Sequence, residues 1–322
     1  MRAAVVTAFG GPEVIEVREV PDPVPAAGQV LVEVELADLI FVETAIRRGG
    51  HGKFFEVEPP YVPGSNLGGR VRAVGPGVPA DWIGKTVVGR PPNFGGHAEL
   101  AVLTPEVELP PELALETAVA VYGDGFTALM LEELAPSMTG RNVLITASAG
   151  GMGLLLIQLA HQAGAHVIAA ARGEEKLALS RAQGADVLID YSKPGWEKSV
   201  LEATNNQGAD IVFEGAGGEL GATAFTVTKD GGWFSAHGAP SGGFAPIDPA
   251  TADRRGITVK GIMDLRADST TTKVTAHNVL TRAAKGDLRP VIDRIYPLAQ
   301  LPDAHQSLEN RTLRGKALIR IR

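Results

Sequence analysis

The stretch Val143-Leu144-Ile145-Thr146-Ala147-Ser148-Ala149-Gly150-Gly151-Met152-Gly153 constrains this chain more than any other. An apolar run, a glycine-rich segment and the helix-like Gly153 to Ala163 predict a buried strand, a tight turn and a helix in direct succession. The alternation then continues. His166 to Ala171, Val187 to Ile189, Asp210 to Glu214 and Gly231 to Ala236 read as further strands, with Glu174 to Ala182 as a helix. Strands that are apolar throughout and alternate with helices predict an α/β domain, a doubly wound parallel sheet covered on both faces.

The turn itself reads as a phosphate cradle. Aligned with G-x-G-x-x-G, Ser148 takes the first glycine position and Gly150 and Gly153 the other two, with Ala149, Gly151 and Met152 between them. Gly150 lets the backbone approach a pyrophosphate, and Gly153 permits close contact of helix and strand. The helix N-terminus supplies unpaired N–H groups. A glycine-rich turn that binds nothing is the alternative, and the complete strand–turn–helix–strand context favours a dinucleotide. After the second strand, Arg172 stands where an NAD site places Asp or Glu, and Lys176 lies one helical turn on. These cations suit a 2′-phosphate, hence NADPH over NADH, against the alternative of an ordinary solvated face. Glu174 and Glu175 fit the first turn of a helix, where the dipole favours carboxylates.

A length of 322 residues implies two domains. Residues 1–120 are rich in Val, Glu, Pro and Gly, with alternation such as Val30 to Glu35 that predicts an irregular β domain. The segment after about 265 has the same texture. The expected division is therefore a discontinuous outer domain, 1–120 with 266–322, around a nucleotide domain, 121–265. A formal net charge of −7 with interspersed signs argues against a nucleic-acid partner. No apolar run reaches a membrane span, and the N-terminus enters a strand-like segment directly. With 0 cysteines there are neither disulfides nor thiolate metal sites, and the cytoplasm is the default location.

Across nearly the whole length the chain resembles medium-chain dehydrogenase/reductase proteins of the quinone oxidoreductase (zeta-crystallin-like) branch. The residues that carry this are Met1 to Val5 with Phe9 to Val14, Ile46-Arg47-Arg48-Gly49, Pro63 to Gly75, Gly95 to Glu99, Ala149 to Gly153, Leu188 to Tyr191 and Glu309-Asn310-Arg311. The resemblance implies a GroES-like β-rich domain and a Rossmann domain. It places Lys176, Tyr191 and Arg311 at the 2′-phosphate end of NADPH, and Thr127, Gly215, Gly238 and Ala239 toward the nicotinamide. Zinc-dependent relatives carry Cys near position 39 and Gly-His-Glu where this chain has Gly64-Ser65-Asn66, so no metal is expected. Many quinone reductases have Asn where this chain has Ile40. That position lies near the nicotinamide ribose and the substrate.

Without a metal, the acceptor that fits is a quinone or an α,β-unsaturated carbonyl, which delocalises the incoming charge itself. Candidate proton donors are Tyr122 and Asp124, at the expected domain boundary. Asp124 reads alternatively as a turn residue between Gly123 and Gly125 that caps a helix starting near Thr127. Ile40 and Tyr61 are expected in the substrate pocket, with Glu43 as a cleft residue, whereas His97 and His237 read as packing or surface residues. A pathway-specific enone reductase and a non-catalytic NADPH-binding protein are the other readings. Gly256 to Ile262 reads as an edge strand of the nucleotide sheet, and its pairing with a second copy predicts a homodimer.

Overall fold

Alternating apolar residues in the N-terminal segment form β1 (Arg2–Val6), β2 (Ile15–Glu19), β3 (Val30–Leu39), β4 (Leu67–Val74), β5 (Thr86–Gly89), β6 (Leu100–Leu103) and β7 (Val107–Glu108), with helix α1 (Phe41–Arg47) after β3. Helix α2 (Leu115–Leu134) follows. The β/α alternation then runs as β8 (Asn142–Thr146), α3 (Gly151–Gln162), β9 (His166–Ala171), α4 (Glu174–Ala182), β10 (Val187–Asp190), α5 (Trp196–Ala203), β11 (Ala209–Glu214), α6 (Gly218–Thr226), β12 (Thr228–Ala236), α7 (Pro249–Arg255) and β13 (Thr258–Gly261). The chain closes with α8 (Ser269–Ala284), β14 (Ile292–Pro297), α9 (Leu301–Glu309) and β15 (Lys316–Arg320). These elements come from a computed structural model that describes residues 1–50 and 55–322. By contact they divide into two units, Met1–Gly123 with Ser269–Arg322, and Asp124–Asp268.

In the first unit, β3 is the organising strand. Val30, Val32 and Val34 point inward with no exposure, while Glu33 and Glu35 alternate outward. β3 pairs antiparallel with β4, β6 and β15, within a sheet ordered β14-β15-β3-β4-β5-β7. The C-terminal strand thus joins the N-terminal sheet, with Leu318 opposite Asp38. Leu39, Leu67, Leu103, Leu301 and Ile319 complete the core around the valines.

Helix α2 departs from the sequence expectation. Gly123-Asp124-Gly125 reads as a turn with a helix beginning near Thr127, whereas α2 runs unbroken through all three residues. Packing explains the difference. A Cβ on Gly123 would stand 2.4 Å from Asn66 Nδ2, and one on Gly68 would stand 2.6 Å from Val119 Cγ2. Glycine on both surfaces lets the helix lie directly on β4. That contact offsets the helix propensity lost at each helical glycine, about 1 kcal/mol. Asp124 therefore caps nothing.

In the second unit the strands lie in the order β10-β9-β8-β11-β12-β13, all pairs parallel. Leu144, Ile168, Val212 and Phe234 form the apolar interior of this sheet. From β8 the chain proceeds to β9 on one side and later returns to β11 on the other. The gap at the carboxyl ends of β8 and β11 is the switch point where ligands bind in such sheets. β13 lies at the edge of the order, and the next residues, Ile262–Asp264, turn into a short 3-10 helix.

Candidate functional site

The glycine turn leaves β8 at the switch point. The left-handed residue is Ala147, with φ 49°, one position before the Ser148 that aligns with the first glycine. The strained backbone is held by bonds on both sides, Ser148 N–H to Ala170 O at 3.1 Å and Gly150 N–H to Ala147 O at 3.0 Å. Ser148 is fully buried, its hydroxyl 2.9 Å from that of Ser180 on α4. Gly153 is needed internally, since a Cβ there would meet Ala147 O at 2.6 Å and Ser148 Cα at 2.8 Å. Gly150, the N-cap of α3, is different. A Cβ there would meet only Ala147 O, at 3.4 Å. The protein's own packing does not demand glycine at this position, so the open space above it is available to a ligand. This fits a dinucleotide pyrophosphate laid on the N-terminus of α3.

The next two strands end on the same edge. Arg172 is exposed directly after β9, and Lys176 lies in the first turns of α4. Glu174 and Glu175 occupy the first turn of that helix, as the dipole favours. Tyr191 N–H donates to Ala171 O at 3.2 Å, which joins the end of β10 to the end of β9, and its ring meets Trp196 edge-on at 6.4 Å. Arg172, Lys176 and Tyr191 are thereby grouped beside the turn. Arg311 belongs to the other unit, where its guanidinium lies over the Phe41 ring at 5.3 Å.

On the far side of the switch point, Gly215 and Gly238 follow β11 and β12. A Cβ on Gly238 would fall 2.0 Å from Gly215 O, so glycine here serves the close approach of two loops. A residue that sequence reasoning treated only as a strand end organises this region. Glu214, fully buried, accepts through Oε1 from Ala216 N–H at 2.6 Å, Gly217 N–H at 2.7 Å and Thr146 Oγ1 at 3.1 Å. Thr146 Oγ1 in turn accepts from Gly215 N–H at 2.9 Å. Burial pushes the Glu214 carboxyl above its usual range. His237 lies beside this loop, 2.6 Å from Ser235 Oγ, and burial lowers it to about 4, so it is neutral. Ala239, half-buried, follows Gly238, and Thr127 is half-buried on the part of α2 that belongs to this unit.

Of the remaining candidates, Ile40, Tyr61 and Tyr122 belong to the first unit and Asp124 begins the second. Ile40 is the half-buried N-cap of α1 and makes no side-chain cap. Tyr61 is tied to β1 through paired backbone bonds with Val6, and burial together with the nearby Glu43 pushes its hydroxyl up to about 12. Tyr122 is a poor proton source. It is 3% exposed, its hydroxyl donates to Glu106 Oε2 at 2.6 Å, and burial raises its pKa further. Asp124 is half-buried within α2.

Glu43, expected to line a cleft, is instead fully enclosed in a polar network that sequence reading did not find. Glu43 Oε1 accepts from Ser65 N–H at 3.1 Å and Ser65 Oγ at 2.8 Å. Asp38, without exposure, accepts from Asn66 N–H at 3.1 Å and Asn66 Nδ2 at 2.9 Å, and the buried Lys316 ammonium lies 2.9 Å from it. His97 is also fully buried, with Nε2 2.9 Å from the Asp38 carbonyl oxygen. The members come from four distant places in the sequence, and no local pattern announces them.

Residues 26–108 match the family described as "Alcohol dehydrogenase GroES-like domain", and residues 151–277 match "Zinc-binding dehydrogenase". A quinone oxidoreductase of Pseudomonas aeruginosa is 29% identical over 97% of this chain and 97% of its own length. Among solved structures, an NAD-dependent alcohol dehydrogenase is 31% identical with a TM-score of 0.87, covering all of both chains. The chain is a medium-chain dehydrogenase/reductase of the quinone oxidoreductase branch. A mycobacterial relative of this reductase, solved with NADPH, is 29% identical, with a TM-score of 0.89 over all of both chains. The reductase fold is thus a GroES-like domain joined to a Rossmann domain, and the protein is an oxidoreductase of this family. No helix among its described residues is long and apolar enough to cross a membrane.

Proposed function

We propose that this protein is an NADPH-dependent reductase of quinones or α,β-unsaturated carbonyls that works without a metal. The observation that carries the reading is the edge at the carboxyl ends of β9 and β10, where Arg172, Lys176 and Tyr191 stand beside the open turn at Gly150. The relative solved with NADPH supports the same choice, whereas the NAD-dependent alcohol dehydrogenase is the precedent for NADH. A cation directly after β9 favours the phosphorylated cofactor, because a 2′-phosphate there gains charge-assisted hydrogen bonds.

The bound cofactor supplies a hydride. Thr127, Gly215, Gly238 and Ala239 hold its nicotinamide half, with the Thr146–Glu214 bond fixing the loop that carries Gly215. The residues at the zinc positions of metal-dependent relatives do not fit zinc. Ser65 and Asn66 are engaged by buried carboxylates, and the Lys316 ammonium already neutralises Asp38 where a dication would have to compete. An acceptor that spreads the arriving charge over its own conjugated system is the one such a site serves. Ile40 and Tyr61 line the acceptor's side, and Asp124 is the remaining candidate for the proton, since the Tyr122 hydroxyl is committed to Glu106. The test is NADPH oxidation measured across quinones, enones and aldehydes with NADH in parallel. Turnover of quinones or enones with NADPH supports the reading. Turnover confined to saturated aldehydes, or faster with NADH, contradicts it.

A further inference from the structure

Among the described residues, Glu43 Oε2 and His97 Nδ1 are buried and have no hydrogen-bond partner, yet they face each other at 3.9 Å. The chemistry of their other atoms fixes what this means. A carbonyl oxygen only accepts, so His97 Nε2 carries the ring proton and donates it to Asp38 O, which leaves Nδ1 as a bare lone pair. Glu43 Oε1 already accepts two donors from Ser65. An ionised Glu43 would then set a second lone pair against that of His97, with neither solvated. A bridging water does not relieve this, because two hydrogen bonds through one water span roughly 4.5 Å. A proton on one of the two atoms does.

We propose that Glu43 carries a proton on Oε2 that faces the His97 Nδ1 lone pair, and that this neutral pair positions the start of helix α1, where Ile40 stands. Glu43 lies on the first turn of α1, and its backbone N–H donates to Ile40 O at 3.1 Å. The charged and titratable groups around the pair divide by element. Asp38 on β3 favours the protonated acid, Lys316 on β15 opposes it, and burial dominates both, pushing Glu43 up to about 8. Burial likewise lowers His97 to about 4. Tyr61, joined to β1, is raised partly by Glu43 and lowered by Arg47, which lies one turn further along α1. His305 on α9 is held well below its usual value mainly by burial, with the Arg47 guanidinium adding to it, so it stays neutral beside them. Both members of the pair are therefore uncharged at neutral pH.

The test compares the full-length protein with Glu43→Gln, whose amide N–H faces His97 while its oxygen accepts from Ser65, in the manner of the neutral acid. The ordinary carboxyl value of 4.5 applies to the unfolded chain. The folded state thus holds one extra proton from there up to about 8, and stability declines as pH rises through that window. Relative to Glu43→Gln, the unmodified protein should lose about tenfold per pH unit in its folding equilibrium between pH 6.5 and 8, read from urea unfolding. Parallel pH profiles for the two proteins would overturn the proton on Glu43. Should Glu43→Gln not fold, ¹⁵N imidazole spectra of the unmodified protein decide instead. His97 should be neutral with Nε2 protonated at pH 6.5, and its Nδ1 resonance should move near pH 8. A cationic ring, or an Nδ1 signal unchanged from pH 7 to 9, would overturn the pair. A kinetic arm rests on the reading of Ile40 as a pocket wall. The acceptor KM should rise severalfold above pH 8 with kcat less affected, and Glu43→Gln should abolish the rise. A flat KM beside an intact stability difference overturns the positioning of Ile40 and leaves the proton assignment standing.

Discussion

Gly150→Ala and Gly153→Ala add the same methyl group to one turn, three residues apart, and the structure gives them opposite consequences. At Gly153 the new Cβ meets Ala147 O at 2.6 Å and Ser148 Cα at 2.8 Å, and both are backbone atoms that cannot rotate aside. The helix gains about 1 kcal/mol of intrinsic propensity from alanine. Overpacking against a fixed backbone typically costs about 1–3 kcal/mol or more. We therefore expect a net loss of stability of about 1–2 kcal/mol, seen as a lower urea midpoint. At Gly150 the backbone is in an ordinary region, φ −79°, and the nearest atom is 3.4 Å away. The change in stability should stay within about 1 kcal/mol, most of it from placing alanine at an N-cap. Its cost falls on the ligand. A methyl group where the pyrophosphate approaches removes at least one charge-assisted hydrogen bond, about 1.5–3 kcal/mol, or roughly ten- to 150-fold in NADPH Kd by fluorescence titration. Equal losses of NADPH affinity in a Gly150→Ala protein that is as destabilised as Gly153→Ala would refute the assignment of that space to the cofactor.

The other predictions probe each end of the proposed site. Lys176→Ala should weaken NADPH about tenfold and leave NADH affinity nearly unchanged by titration, and equal effects on both cofactors would remove Lys176 from the 2′-phosphate. Ile40→Asn restores a polar group at the N-cap of α1, where Asn is favoured, so stability should be unchanged or slightly raised while kcat/KM shifts toward small polar quinones. A large loss of stability with unchanged substrate ranking would show Ile40 to be a packing residue only. β13 lies at the edge of its sheet, and pairing with a second copy predicts a dimer in sedimentation at micromolar concentration, with a monomer as the contrary result.

The parts of this fold that the sequence announces are those specified locally. Apolar runs from Val143 to Ala236 declare parallel strands because burial on both faces leaves no room for alternation. The turn at Gly150 and the cation at Arg172 are legible for the same reason, since each sits at a set distance from a strand end. What escaped is set by contacts distant in the chain. The continuity of α2 through Gly123 and Gly125 depends on Gly68 in β4 and on Asn66 just before it, so local propensity points the wrong way. The left-handed residue of the turn is Ala147 because a hydrogen bond to Ala170 holds Ser148 in place. Glu43, Ser65, His97 and Lys316 look like unrelated polar residues until the sheet brings them into one enclosed network. Glu214 hides at the end of an apolar strand, where a carboxylate reads as the first solvent-facing residue rather than as the anchor of the loop through Ala216 and Gly217.

The central claim is that hydride leaves NADPH for a conjugated acceptor with no metal taking part. The direct measurement is kcat/KM for one quinone and for a saturated ketone of similar size, using protein stripped of metals by exhaustive chelation and checked by elemental analysis. The account predicts full quinone activity in the stripped protein, with the saturated ketone at least about a thousandfold slower, a gap of about 4 kcal/mol in the barrier. Loss of quinone reduction on stripping, restored by one equivalent of zinc, or comparable rates on the two acceptors, would contradict it.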